Sequence, residues 1–138
     1  MSRTTKKPLS VLIADDDDQC REALREIVEP EGYLTLLASS GEEAIDIIQG
    51  APVHLALFDL QMPRMTGLDA VHLVHQFNAL LPCILVTANA TQEIIRQALQ
   101  VRAYSVIPKP VSKSILLYTM LRALKAYQEM LDNQPDPT

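Results

Sequence analysis

The sequence predicts a doubly wound α/β domain built from five consecutive strand–helix units. Five short, nearly uninterrupted apolar runs alternate with segments whose apolar residues recur at helical spacing. Prolines and glycines separate these segments. The strands lack the in–out alternation of a sheet with one wet face, so the sheet is parallel with helices over both faces. Right-handed crossovers then wind the helices onto its two sides. The 138 residues suit a single domain spanning 1–138, with a core over about 9–131. The segments 1–7 and 132–138 read as flexible tails.

Pro8 precedes the first run, Leu9 to Ala14. From Gln19 to Glu29, Cys20, Leu24, Ile27 and Val28 recur as one helical face, and Pro30 and Gly32 end the segment. Tyr33 to Ala38 is the second strand. Ser40-Gly41-Glu42-Glu43 reads as a capping box opening a short helix through Ala44, Ile45 and Ile48, closed by Gly50. Pro52 introduces a third strand, Val53 to Phe58, and a loop follows from Asp59 to Met65.

Thr66-Gly67-Leu68-Asp69 caps a third helix with Val71, Val74 and Phe77 on its inner face. Cys83 to Thr87 is the fourth strand, entered through Pro82. The fourth helix covers about Thr91 to Val101, with Ile94, Ile95, Ala98 and Leu99 as its apolar residues. The fifth strand, Ala103 to Ile107, stops at Pro108 and Pro110, and a last helix covers about Ser112 to Leu131.

Composition excludes several classes of function. The net charge is −5 and no basic stripe is present, so no nucleic-acid surface is expected. No uncharged run is long enough to span a membrane, and no apolar signal core follows Arg3, Lys6 and Lys7. A cytoplasmic protein is expected, with no membrane contact. Cys20 and Cys83 sit inside apolar patterns and read as free thiols, not as a disulfide or metal site.

Ligands of open parallel sheets bind outside the carboxyl ends of the strands. Asp15, Asp16, Asp17 and Asp18 follow the first strand, Asp59 the third, Thr87 the fourth and Lys109 the fifth. Taken singly, each has an ordinary explanation. Asp17 or Asp18 caps a helix, Asp59 is a loop acid, Thr87 a cap and Lys109 a solvated lysine. Four adjacent carboxylates, however, repel one another unless a cation offsets them. If strands one and three are neighbours, as in the flavodoxin-like order 2-1-3-4-5, the acids converge.

The set then suits phosphoryl acceptance. Mg²⁺ takes oxygen ligands and usually one or two carboxylates, which Asp15 and Asp16 supply. Asp59 is a carboxylate nucleophile that forms an aspartyl phosphate. The metal and Lys109 offset charge on the transferring group, and the Thr87 hydroxyl donates to a phosphoryl oxygen.

Four stretches carry a family resemblance. They are Val11-Leu12-Ile13-Ala14-Asp15-Asp16, Leu57-Phe58-Asp59-Leu60-Gln61-Met62-Pro63, Leu85-Val86-Thr87-Ala88 and Pro108-Lys109-Pro110. In this order and spacing the chain resembles the receiver domain of two-component response regulators over about Leu9 to Leu131. The resemblance implies Asp59 as the phosphorylated residue and Asp16 as a direct Mg²⁺ ligand. It implies Asp15 as a ligand through water, and the main-chain carbonyl of Gln61 as a further metal contact. It implies Thr87 as the switch hydroxyl, Lys109 as the phosphate partner and a cis Lys109–Pro110 bond, which proline permits. The implied donor is a sensor histidine kinase or a histidine phosphotransfer protein.

The sequence departs from the family pattern at Val106, where an aromatic residue often stands three positions before the lysine. Tyr104 is not assumed to replace it, and the strand-four loop and fourth helix are the expected alternative route for the signal. Gln61 and Asn89, each two residues after a site residue, are placed to affect hydrolysis of the aspartyl phosphate, or are simply loop amides. His72 and His75 lie three apart on the third helix and read as a solvated face, since no third ligand is near. His54 falls within the third strand and reads as structural. The last helix is apolar over more than one face. This reads equally as a wide core face or as a homodimer or effector contact through the fourth helix, fifth strand and fifth helix.

Two rivals stand beside this reading. One is a phosphate-independent interaction module on the same fold. The other is a small haloacid-dehalogenase-type hydrolase using Asp15-Asp16-Asp17, although the chain is short for that fold and Gln19 stands where Thr or Val is usual. Since the receiver reading has no separate substrate, turnover of one is not expected.

Overall fold

The structure, a computed structural model, describes residues 7–134; most of the two expected tails, residues 1–6 and 135–138, lies outside the described residues. The five strands are β1 (Ser10–Ala14), β2 (Leu34–Ala38), β3 (Leu55–Asp59), β4 (Cys83–Thr87) and β5 (Ser105–Pro108). They form one parallel sheet in the order β2-β1-β3-β4-β5. The helices are α1 (Asp18–Val28), α2 (Gly41–Gly50), α3 (Gly67–Phe77), α4 (Gln92–Gln100) and α5 (Lys113–Asp132). The expected doubly wound fold is the one observed.

Alternate residues of each strand point to opposite sides, so the sheet divides two cores. Val11, Ile13, Leu57 and Ile84 pack with Leu24 and Val28 of α1 and Leu116 and Met120 of α5. Leu12, Phe58, Cys83 and Leu85 pack with Ile45 of α2, Val71 and Val74 of α3 and Ala98 of α4. Every residue of β1, β3 and β4 is buried, which is why those strands read as continuous apolar runs. The edge strand β2 keeps Leu34 and Leu37 exposed.

Side-chain caps start all five helices. Asp17 accepts from Gln19 N and Cys20 N, and Ser40, Thr66, Thr91 and Ser112 each accept from the third residue beyond them. The box at Thr66 is reciprocal, with Asp69 bonding back to Thr66 N. The one expected at Ser40 is not. Glu43 reaches past Ser40 to the main-chain N and hydroxyl of Ser39. After α1 a 3₁₀ turn, Glu29–Glu31, carries Pro30, and Gly32 closes it at φ 96°, a left-handed conformation that glycine adopts without a Cβ clash.

Several expectations are corrected. Phe77 is 43% exposed, because the buried stripe of α3 runs through Ala70, Val71, Val74 and His75. His75 is therefore inside, not on a solvated face with the exposed His72. Its Nδ1 lies 2.9 Å from Val101 O and its Nε2 3.0 Å from Leu81 O. Ile95 and Leu99, 45% and 70% exposed, turn away from the core, and Ala98 is the buried residue of α4. β3 begins at Leu55, later than expected, because the His54 ring takes the Ser10 N–H that a ladder bond would otherwise use. Asp132, assigned to the tail, is the last residue of α5, and Asn133 bonds back to Glu129 O.

Candidate functional site

The ladder register sets the site. Ala14 pairs with Phe58, Asp59 with Val86 and Thr87 with Pro108, so the polar residues after β1, β3, β4 and β5 share one edge of the sheet. Ser39 and Ser40, after β2, serve the start of α2 instead. Gly67 lets α3 begin tightly against this edge, since a Cβ there would meet Asp59 O at 2.5 Å.

Asp15 is wholly buried and both of its carboxylate oxygens are engaged. Oδ1 accepts from Asp17 N at 2.9 Å and Oδ2 from Lys109 Nζ at 3.1 Å. The same ammonium lies 3.0 Å from Asp59 Oδ1. Asp16 is exposed, yet carboxylate oxygens of Asp15, Asp16 and Asp59 all lie within 4.8 Å of one another. Thr87 is buried, and its hydroxyl oxygen accepts from Asn89 N at 3.0 Å, which leaves the hydroxyl proton free to donate. Lys109 N donates to Thr87 O at 2.8 Å, and the Lys109–Pro110 bond is cis, as the resemblance implies. Gln61 is exposed in the loop two residues past Asp59.

The electrostatics leave the site short of positive charge. Burial pushes the Asp59 carboxyl above its ordinary range, the hydrogen bond from Lys109 opposes that, and the charges of Asp15 and Asp16 add to it. Burial pulls the Lys109 ammonium down, but hydrogen bonds to Asp59 and Asp15 outweigh it and hold the group above the usual lysine range. Three converging carboxylates against one ammonium leave excess negative charge. A hard divalent cation with oxygen ligands, such as Mg²⁺, fits this donor set.

Sequence reasoning missed one residue here. Arg21 of α1 donates from Nη1 to the main-chain oxygen of Asp15 at 2.6 Å. Its signal was a cation near a helix N-terminus, where the dipole favours acids.

Fold and site together define a doubly wound α/β protein with a lysine-braced acidic centre at its carboxyl edge. The response regulator receiver domain family matches residues 11–121, and the chain belongs to that family of two-component signal transduction. It is 27% identical over 124 residues to response regulator RR06 of Streptococcus pneumoniae, covering 90% of this chain and 57% of that protein. It is 31% identical over 118 residues to response regulator MprA of Mycolicibacterium vanbaalenii, covering 86% of this chain and 51% of that one. The chain thus spans about half the length of these relatives. Among solved structures, a CheY-like receiver domain from Methanospirillum hungatei superposes with a TM-score of 0.85 at 29% identity, over 90% of this chain and 99% of that one. Chemotaxis protein CheY4 of Vibrio cholerae gives 0.81 at 27%, over 85% and 99%.

Proposed function

We propose that Asp59 accepts a phosphoryl group from a phosphohistidine on a sensor histidine kinase or a histidine phosphotransfer protein. The observation that carries this is Lys109 Nζ bridging Asp15 and Asp59, 3.1 and 3.0 Å away, with Asp16 alongside. An Asp59 oxygen attacks phosphorus, the donor P–N bond breaks, and an aspartyl phosphate forms. Lys109 follows the transferred group by pairing with one of its oxygens, and the Thr87 hydroxyl donates to another. Asp15, Asp16, Asp59 and the main-chain carbonyl of Gln61 would hold Mg²⁺, which supplies charge neutralisation during transfer.

Asp15 is a poor alternative nucleophile, because Asp17 N and Lys109 occupy both its oxygens. Gln61 and Asn89 flank the site and would tune hydrolysis of the aspartyl phosphate. No separate substrate is turned over. We read residues 1–138 as one cytoplasmic domain; among the described residues no helix is long and apolar enough to cross a membrane.

Phosphorylation adds charge that shifts a two-state equilibrium. Val106 is half-buried beside the core and in register with Leu85, while Tyr104 is half-exposed beside Tyr118 and Arg122 of α5. Tyr104 therefore does not fill the inward place of an aromatic switch, and we assign the signal to the loop after β4 and to α4. Ile95 and Leu99 of α4, Tyr104 just before β5, and Ile115, Tyr118 and Leu121 of α5 expose apolar side chains, and there we place contact with a second copy or an effector.

Intact mass after incubation with Mg²⁺ and acetyl phosphate tests the chemistry. One phosphoryl adduct is expected on the native chain, none with chelator and none on Asp59→Asn. An adduct that survives in the variant would place the acceptor elsewhere.

A further inference from the structure

Asp16 is the carboxylate of the acidic cluster that no hydrogen bond holds among the described residues. Its main chain is held instead, on both sides. The peptide after it donates from Asp17 N to Asp15 Oδ1 at 2.9 Å. The peptide before it accepts, at the Asp15 carbonyl oxygen, from Arg21 Nη1 at 2.6 Å. A planar peptide leaves two soft dihedrals per residue, so fixing both flanking peptides fixes where the Asp16 side chain projects. One of the two restraints comes from Asp15, already a member of the site; the other comes from Arg21.

Arg21 is built for this task. Its side chain is only 17% exposed, and its second guanidinium nitrogen pairs with Asp18. A planar fork serves two acceptors at once, which an ammonium does not. Near the N-terminus of α1 the helix dipole disfavours a cation, so the carbonyl and carboxylate contacts must outweigh that cost.

We propose that Arg21 is the positioning residue that aims the Asp16 carboxylate toward the cation site shared with Asp15 and Asp59, an inference that rests on the metal reading above. Arg21 touches no reacting group and acts through the Asp15–Asp16 peptide. Its charge and its hydrogen bond pull in opposite directions. A guanidinium beside the acids weakens binding of a divalent cation, whereas a fixed Asp16 strengthens it. Positioning is the larger effect, so removing this positive charge weakens cation binding, the reverse of what charge alone gives.

The test titrates Mg²⁺ calorimetrically into the native chain, Arg21→Ala and Arg21→Lys. The native chain is expected to bind one Mg²⁺. Arg21→Ala is expected to bind about 10-fold more weakly, the usual range when the support of a metal ligand is lost. Arg21→Lys, which keeps the charge and reaches one acceptor, is expected to fall between. With acetyl phosphate, the Mg²⁺ concentration for half-maximal phosphorylation should rise in step while the rate at saturating Mg²⁺ holds, a split that general destabilisation does not produce. If Arg21→Ala does not fold, weakened binding by Arg21→Lys supports the proposal and unchanged binding overturns it. Native binding with Arg21→Ala equal to or tighter than native overturns this inference alone. No binding by the native chain overturns the metal reading and this inference with it.

Discussion

Two arginines adopt the left-handed conformation that glycine favours, Arg64 at φ 69° and Arg102 at φ 63°. Arg64, between Asp59 and α3, is the centre of a tight turn in which Met65 N donates to Pro63 O at 2.7 Å, and its side chain pairs with Glu42. Arg102 has a plainer role in ending α4. Its N–H donates to Leu99 O at 3.1 Å and Ala103 N to Ala98 O at 2.9 Å, the Schellman pattern in which glycine is usual at this position. Arg102→Gly is expected to stabilise the fold by about 0.5–1 kcal/mol, read as a higher urea midpoint with an unchanged slope. A lower midpoint would show that the arginine side chain contributes more than its backbone costs. At the site the sign depends on pH. The Asp59 carboxyl is raised in the folded state, so the native chain holds that proton more tightly than the unfolded chain. Stability from this group is present below the ordinary carboxylate range, about pH 4, and is lost as pH rises through the elevated folded value. In metal-free buffer Asp59→Asn should therefore melt a few degrees above native at pH 7, and the gap should close as pH falls below about 4. A gap that is constant with pH would mean that burial of the ionised carboxylate is not its cause.

Element by element, legibility follows from how local each determinant is. Helix starts were readable because Asp17, Ser40, Thr66, Thr91 and Ser112 cap through bonds two to three residues along the chain. The strands β1, β3 and β4 were readable because burial on both faces removes alternation. The start of β3 was not, because a ring nitrogen of His54 replaces a ladder acceptor for a residue 44 positions away. The acids of the site stood out at strand ends, but Arg21 was hidden because its partner is a carbonyl oxygen, which every residue has. His75 was misread for the same reason. Its two partners are the carbonyls of Leu81 and Val101, 6 and 26 residues away, and they tie the end of α3 to the turns before β4 and after α4. His75→Phe, which keeps a ring, is expected to cost about 1–3 kcal/mol in urea unfolding by stranding the carbonyl that the ring N–H serves, since a neutral imidazole donates from one nitrogen only. A cost below about 1 kcal/mol would mean that water satisfies it.

At the scale of the whole molecule the sheet couples the two cores, and the cysteines report on that coupling. Cys83 opens β4, wholly buried, with Sγ 3.6 Å from Leu81 O. Burial pushes its thiol up, so the reactive thiolate is scarce at neutral pH. Cys20 is half-buried on α1, beside Leu24, Lys109 and Val111. β4 pairs with both β3 and β5; Cys83 and Leu85 belong to one core and Ile84 to the other. Opening β4 therefore breaks two ladders and both cores together, which makes local exposure of Cys83 nearly as costly as global unfolding. With a thiol reagent at neutral pH, one cysteine per chain is expected to react in the native state, and mass mapping should identify it as Cys20. As urea is raised, the extent of Cys83 labelling should rise with the same midpoint as the loss of helical circular dichroism, as two-state unfolding requires. Labelling of Cys83 well below that midpoint would show that β4 and β5 open on their own, and that the sheet does not unfold as one unit.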